Sequence, residues 1–243
     1  MYTSRGFLAA IAAILVFPAF SAAQTPAPQA DNGNKTAVIK FVGDVNPPTI
    51  SALLQAVDSQ YKIGIRKFVI LISSNGGDVL SGFMAYSYLK GMPIEVTTFN
   101  VGNVDSAAGI LFCAGTKRYA VPDSRFLIHE VSMAGVANGQ FSIDLPSLEA
   151  QVSMLKSQEQ TIAKILATTV GKPQAEAEER IHAQKSVSAE EAKQWGLVQD
   201  IRTQLFDPAD SILVSSSVPV PPPPSATPEI PGLMQFTYSS ASH

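Results

Sequence analysis

The sequence predicts an α/β fold: repeated βαβ units around a mainly parallel sheet, with one long helix projecting from it. Three observations predict it. Short β-branched apolar runs alternate with segments of helical spacing through the first half of the chain. One of those runs, Lys67–Ser73 (KFVILIS), is almost continuously apolar, as a strand covered on both faces must be. A later stretch, Leu145–Val170, carries apolar residues at near seven-residue spacing.

Taken in order, Thr36–Val42 (TAVIKFV) reads as the first strand, and Gly43 with Asn46-Pro47-Pro48 punctuates it. Ile50–Tyr61 has helical spacing at Leu53, Leu54 and Val57. After the buried strand, Asn75-Gly76-Gly77 breaks the run and Val79–Lys90 resumes helical spacing. Ile94–Asn100 (IEVTTFN) is strand-like, Gly102–Asp105 reads as a turn, and Ser106–Ala114 as a short apolar helix. Arg118–Val121 and Arg125–Ile128 are two further short strands. Leu145–Val170 would be about 39 Å long at 1.5 Å per residue, long for so small a sheet. Its apolar residues at 145, 148, 152, 155, 162 and 166 form a seam that Glu159 interrupts. That seam either takes a partner where the helix projects or folds back onto the chain's own sheet. Gly171-Lys172-Pro173 stops the helix, and Ala175–Ala183 is another. Ser188-Ala-Glu-Glu191 has capping-box spacing and opens a short helix that Gly196 closes.

The two ends are unlike this middle. Residues 1–23 have the parts of a secretory signal: Arg5, the apolar run Gly6–Phe20, and small residues Ser21-Ala22-Ala23 before a cut at Gln24. Fifteen residues make about 22 Å of helix, short of a bilayer core of ~30 Å, so cleavage is expected rather than anchoring. Residues 24–34 form a polar leader, residues 35–207 the folded domain, and residues 208–243 a Pro/Ser-rich disordered tail carrying Val218-Pro-Val-Pro-Pro-Pro-Pro224. The expected location is exported, periplasmic or secreted, where ATP is not normally available. With 243 residues and a formal charge of −3, the chain has room for one sizeable core and little electrostatic attraction for nucleic acid. One cysteine, Cys113, and three histidines argue against a disulfide framework or a metal site, and no cofactor motif is present.

Chemistry concentrates in Val101-Gly-Asn-Val-Asp-Ser106, where a serine sits on the turn between an apolar strand and an apolar helix. Its hydroxyl would lie beside helix-terminal N–H groups that suit an anionic intermediate; alternatively it only caps the helix. Gly76-Gly77 would let a backbone N–H approach a ligand closely. His129 ends an apolar strand 23 residues after Ser106, a place where histidine serves either catalysis or structure. Cys113 falls on the apolar face of the helix after Ser106 and reads as a small core residue.

Together these pieces resemble the Clp protease proteolytic subunit, within the ClpP/crotonase superfamily, from about Ala37 to Asp200. The matching segments are Ile72-Ser-Ser-Asn-Gly-Gly77, Gly102-x-x-x-Ser106, Ala114-Gly115, Arg118-Tyr-Ala-Val-Pro-Asp-Ser-Arg125, Ile128-His129, Gly139-Gln140, and Ser188-Ala-Glu-Glu-Ala192 with Gly196-Leu197-Val198. The resemblance implies a serine endopeptidase cutting peptides or unfolded proteins through an acyl-enzyme, with Ser106 as nucleophile and His129 as base. It implies an oxyanion hole from the backbone N–H groups of Gly77 and Ala107. It also makes Leu145–Val170 the handle helix through which rings of identical subunits stack.

The sequence departs from that pattern at the third triad position, where the family's carboxylate is replaced by Gln184. Three outcomes stand open: another carboxylate (Glu130, Asp105 or Asp78) substitutes, a Ser–His dyad works slowly, or the protein is an inactive assembly or binding module. Asn75 stands where the family has proline, and Glu130-Val131 where it has Gln-Pro. His182 reads as a solvated helix residue. A Ser–Lys enzyme of the same superfamily would need Lys156 or Lys164 as its base, which the Ile128-His129 match disfavours.

Overall fold

The computed structural model of the chain describes residues 32, 34–132, 144–206 and 211–217. The expected signal, the leader apart from Asn32 and Asn34, the Gly139-Gln140 match and everything beyond Ser217 lie outside the described residues.

Strand β1 (Lys35–Val42) leads into helix α1 (Pro47–Lys62). The helix starts three residues before the apolar spacing does. Asn46 caps it, accepting from the Thr49 N–H at 3.0 Å, while the Thr49 hydroxyl accepts from the Asn46 N–H at 3.1 Å. Pro47 and Pro48 thus occupy the first turn, where a missing N–H removes no helical bond. Strand β2 (Lys67–Ser74) and helix α2 (Val79–Gly91) follow as expected.

Strand β3 (Glu95–Asp105) runs straight through the expected turn at Gly102. Its first half pairs with β4 (Lys117–Ala120) and its second half with β5 (Arg125–Leu127). Buried Asn100 stands where the partner changes, donating to the Arg125 carbonyl at 2.8 Å and accepting from the Gly102 N–H at 3.0 Å. The polar residues that look like a turn are therefore a hand-over between strands. Between β3 and β4 lies helix α3 (Ala107–Phe112).

Helix α4 (Leu145–Val170) has the expected bounds, capped by Asp144 and ended by Gly171 at φ 69°. The seam divides between the two halves of the helix. Ile162, Ala163, Ile165, Leu166 and Ala167 are buried against the domain, whereas Leu145 is 67% exposed, Leu148 42% and Val152 49%. Then come α5 (Gln174–Ala183), β6 (Ser186–Ser188), α6 (Ala189–Trp195), β7 (Asp200–Ile201) and β8 (Ser211–Ser217). β8 lies inside the stretch expected as disordered tail. It pairs in parallel with the free edge of β1, and Ser-Ile-Leu-Val-Ser is a β-prone run once an edge is available.

The sheet order is β6-β5-β3-β2-β1-β8, with β4 branching from β3 and β7 from β4. Every pairing is parallel except β5 with β6, as the βαβ reading requires. Alternation sorts the side chains: Phe68, Ile70 and Ile72 join the main core under the helices, while Val69 and Leu71 join Val38 and Phe99 on the other face. Leu205 and Phe206 pack on that second face. Buried Arg118 ties the far parts together by donating to the carbonyls of Leu197 (2.9 Å), Thr169 (3.1 Å) and Gly115 (3.2 Å).

Candidate active site

The site forms at the carboxyl ends of β2, β3 and β5, the end of a parallel sheet where open α/β folds place their ligands. Ser106 sits between β3 and α3 at φ 52°, ψ −126°, and its side chain makes no capping hydrogen bond. An N-cap serine has extended φ and bonds an early helical N–H. Ser106 does neither, so the capping reading fails. A non-glycine residue at such angles costs on the order of 1–3 kcal/mol and persists only where the surroundings impose it. Here they do: the Ser106 N–H donates to the Leu127 carbonyl at 2.7 Å, and Gly76 presses against the turn. A Cβ added to Gly76 would stand 2.6 Å from the Asp105 oxygen and 2.6 Å from Ser106 Cβ.

The paired glycines form the facing wall. Val45 donates to the Gly76 carbonyl at 2.7 Å and accepts from the Asp78 N–H at 2.8 Å. Because successive N–H groups of an extended segment alternate in direction, that bridge leaves the Gly77 N–H pointing away from Val45. Gly77 has φ 141° and lies so close to Val45 that a Cβ would be 2.2 Å from its carbonyl oxygen. The Ala107 N–H, first of α3, has no partner within the helix. The helix is only six residues long, so its dipole is a small contribution beside these local N–H groups.

His129 follows β5 two residues beyond Leu127 and is half-buried. Its Nδ1 lies 2.7 Å from the Glu130 carbonyl oxygen. A carbonyl only accepts, so Nδ1 carries the hydrogen and Nε2 is left with its lone pair, the form a general base needs. Among the described residues Ser106 Oγ makes no hydrogen bond, to His129 or to any other group.

The candidate acids are all engaged elsewhere. The Asp105 carboxylate pairs with Arg125 at 2.9 Å and accepts from Asn103 at 3.0 Å. Asn103 also donates to Asn75 at 2.8 Å, so the residue standing in the proline position belongs to the same polar network. Asp78 caps α2 through Ser81, at 2.8 Å from its N–H and 2.6 Å from its hydroxyl. Both carboxylates are thus directed into their own partners rather than into the turn at Ser106. Gln184 ends α5 at φ 48° and donates to Glu130 Oε2 at 2.9 Å. His182 holds Glu130 Oε1 at 2.7 Å, so it is no bystander on a solvated helix. That hydrogen bond, helped by the charges of Glu130, Glu159 and Glu178, raises the pKa of His182 above the ordinary imidazole value.

Sequence reading missed the hold on the segment after His129. The Val131 N–H donates to Glu159 Oε1 at 3.2 Å, fastening that segment to α4. Glu159 had shown itself only as the break in an apolar seam. Lys156 and Lys164 are exposed, and neither lines the narrow cleft beside Ser106, which Gly109, Ile110, Ile128, Ile162, Ile165 and Leu166 enclose. Cys113 is fully buried, and burial pushes its thiol up to about 11.

A largely parallel, helix-covered sheet with a strained serine at a strand-to-helix turn, and glycine and histidine elements around it, defines a protein of the ClpP-like fold. The chain belongs to the Clp protease family, whose profile matches residues 38–204. It is 33% identical over 138 residues to the ATP-dependent Clp protease proteolytic subunit 2 of Mycobacterium leprae, covering 56% of this chain and 63% of that one. It is 31% identical over 162 residues to the protein of the same name from Frankia casuarinae, covering 66% and 71%. A mutant ClpP1 from Listeria monocytogenes shares the fold, with a TM-score of 0.62 at 20% identity over 69% of this chain and 91% of that one.

Proposed function

We propose that the protein is an exported serine endopeptidase that cleaves peptides or unfolded chains from Ser106, with His129 as base. The observation that carries this reading is the positive φ of Ser106, held without any capping bond against the paired glycines. Backbone strain of this kind points to use, because a serine serving only as a cap would relax into extended φ.

In the proposed reaction Ser106 Oγ attacks the scissile carbonyl carbon while His129 Nε2 takes its proton. The carbonyl oxygen becomes an oxyanion facing the Gly77 and Ala107 N–H groups, and losing one such donor costs ~10²–10³ in rate. The imidazolium then gives the proton to the leaving amine, and water, deprotonated by the same imidazole, releases the acyl group. The apolar residues beside Ser106 enclose only about 10 Å³, a packing gap rather than a substrate pocket.

The missing acid sets the expected strength. In a serine triad, Asp→Asn lowers kcat ~10⁴, largely through the wrong tautomer. Here the Glu130 carbonyl supplies the tautomer but not the negative charge, so the reading is a Ser–His dyad, slower than a full triad. A homo-oligomer formed through the exposed half of α4, ring-like as in the family resemblance, would keep water and bystander proteins from the site. Residues 1–23 carry the export part of the proposal. Among the described residues no helix is long and apolar enough to cross a membrane.

The test is covalent labelling by a fluorophosphonate probe. The full chain labels at Ser106; Ser106→Ala abolishes the adduct, and His129→Ala slows it at least a hundredfold. The rival reading is a non-catalytic assembly or binding protein of the same fold. It is favoured by the absence of a Ser106–His129 hydrogen bond and by the engagement of Asp78, Asp105 and Glu130 elsewhere. Folded, assembled protein that takes no probe at any pH from 5 to 9 would decide for it.

A further inference from the structure

We propose that Glu130, His182 and Gln184 form a positioning relay in place of the missing triad acid: the Glu130 main-chain carbonyl orients His129, and the two α5 side chains hold Glu130 by its carboxylate. The inference rests on the peptidase reading of Ser106 and His129 and gives that site its third member.

One residue makes both contacts. The Glu130 carbonyl oxygen lies 2.7 Å from His129 Nδ1, while its two carboxylate oxygens lie 2.7 Å from His182 Nδ1 and 2.9 Å from Gln184 Nε2. A backbone carbonyl in a connecting segment has no ladder to keep it in place. This one is fixed on both sides, by α5 through the Glu130 carboxylate and by Glu159 of α4 through the Val131 N–H at 3.2 Å. Gln184 occupies the position from which the family's acid would address the histidine. Its αL conformation, φ 48°, and the end of α5 bring its amide to Glu130 instead. Glutamine suits this task better than aspartate, since an aspartate there would set two carboxylates against each other.

The relay acts through His129 rather than on substrate, so all three are positioning residues. His182 adds a charge-dependent part to the hold. The charged groups around its imidazole are Glu130 after β5, Glu159 and Lys156 on α4, and Glu178 on its own helix. The acids favour the imidazolium. Because the folded-state pKa of His182 is raised, the ionic part of its hold on Glu130 is complete below the ordinary imidazole pKa and is lost as pH rises through the raised value, while the neutral ring with its hydrogen on Nδ1 still donates to Glu130. The pair is exposed, His182 by 59% and Glu130 by 44%, so it fixes geometry with little effect on stability and weakens in salt.

The test uses the full chain and a fluorophosphonate probe, with ring nitrogen resonances of the histidines read in parallel. In the wild type, His129 is the Nδ1–H tautomer. Glu130→Gln and His182→Ala each shift it toward Nε2–H and slow labelling about tenfold or more, short of the ~10⁴ that a wrong tautomer costs a serine triad. His182→Gln, which still donates to Glu130, restores the rate. Melting temperatures within 2 °C of wild type identify these as positioning effects. If His129 remains Nδ1–H and labelling stays within twofold in both Glu130→Gln and His182→Ala, the relay is overturned. If the wild type does not label at all, the peptidase reading fails by itself, and the His129 tautomer in the same variants still decides the relay.

Discussion

Ser106 and the two glycines facing it form the tightest point of the site. The φ of 52° at Ser106 is held by contacts on both sides: the Leu127 carbonyl takes its N–H, and Gly76 leaves no space for the turn to relax. Gly77 is under a different constraint. Its φ of 141° and the 2.2 Å approach of a would-be Cβ to the Val45 oxygen exclude any side chain. Gly77→Ala must therefore push β1's trailing loop aside and rotate the N–H that faces the oxyanion. We expect it to lower stability by about 2 kcal/mol and Ser106 labelling by at least ~10². Urea unfolding and probe kinetics on the same preparation check the two effects separately. Stability loss with undiminished labelling would remove Gly77 from the oxyanion hole.

Elements explain how those residues meet. β3 changes partner at Asn100, from β4 to β5, and this hand-over brings the turn at Ser106 beside the end of β5, where His129 follows. α5 and α4 then hold the segment beyond His129 by its Glu130 side chain and its Val131 N–H. α4 is two helices in energetic terms. Its carboxyl half is core, and Ile165→Ala would cost about 2–4 kcal/mol through lost burial and the cavity left behind. Its amino half contributes little to the fold of one chain, since Leu148 and Val152 are largely exposed. The paired change Leu148→Glu with Val152→Glu should leave the melting temperature of the subunit within 2 °C. It should also reduce the assembled mass measured by light scattering. An unaltered mass would show that subunits do not meet through this half.

At the scale of the whole molecule, the sheet has two unequal cores, and the larger, under the helices, encloses Cys113. That thiol is fully buried, and its pKa is pushed up to about 11, so it is neither ionised nor reachable at ordinary pH. Reaction with a water-soluble disulfide reagent at pH 8 then requires the domain to open. We expect its rate to fall in step with the population of unfolded molecules as urea is withdrawn, making the lone cysteine a reporter of global stability. Fast reaction in the absence of denaturant, with no loss of folded signal, would show instead a local opening of α3.

Much was legible in the amino-acid order alone. Apolar runs of strand length, helical spacing between them and the bounds of α4 follow from local patterning, because each element must present a face that can be buried. The positions of Ser106, Gly77 and His129 were marked by the turn chemistry around them. What the order could not supply was anything decided by a partner distant along the chain. The passage of β3 through Gly102 required β5, and the pairing of Ser211–Ser217 required the free edge of β1. Gln184 and His182 turn to Glu130, more than fifty positions away, which no local signal encodes. Patterning specifies what a segment prefers to bury. Which polar group answers another across the fold is settled only when packing has brought the two within hydrogen-bonding distance.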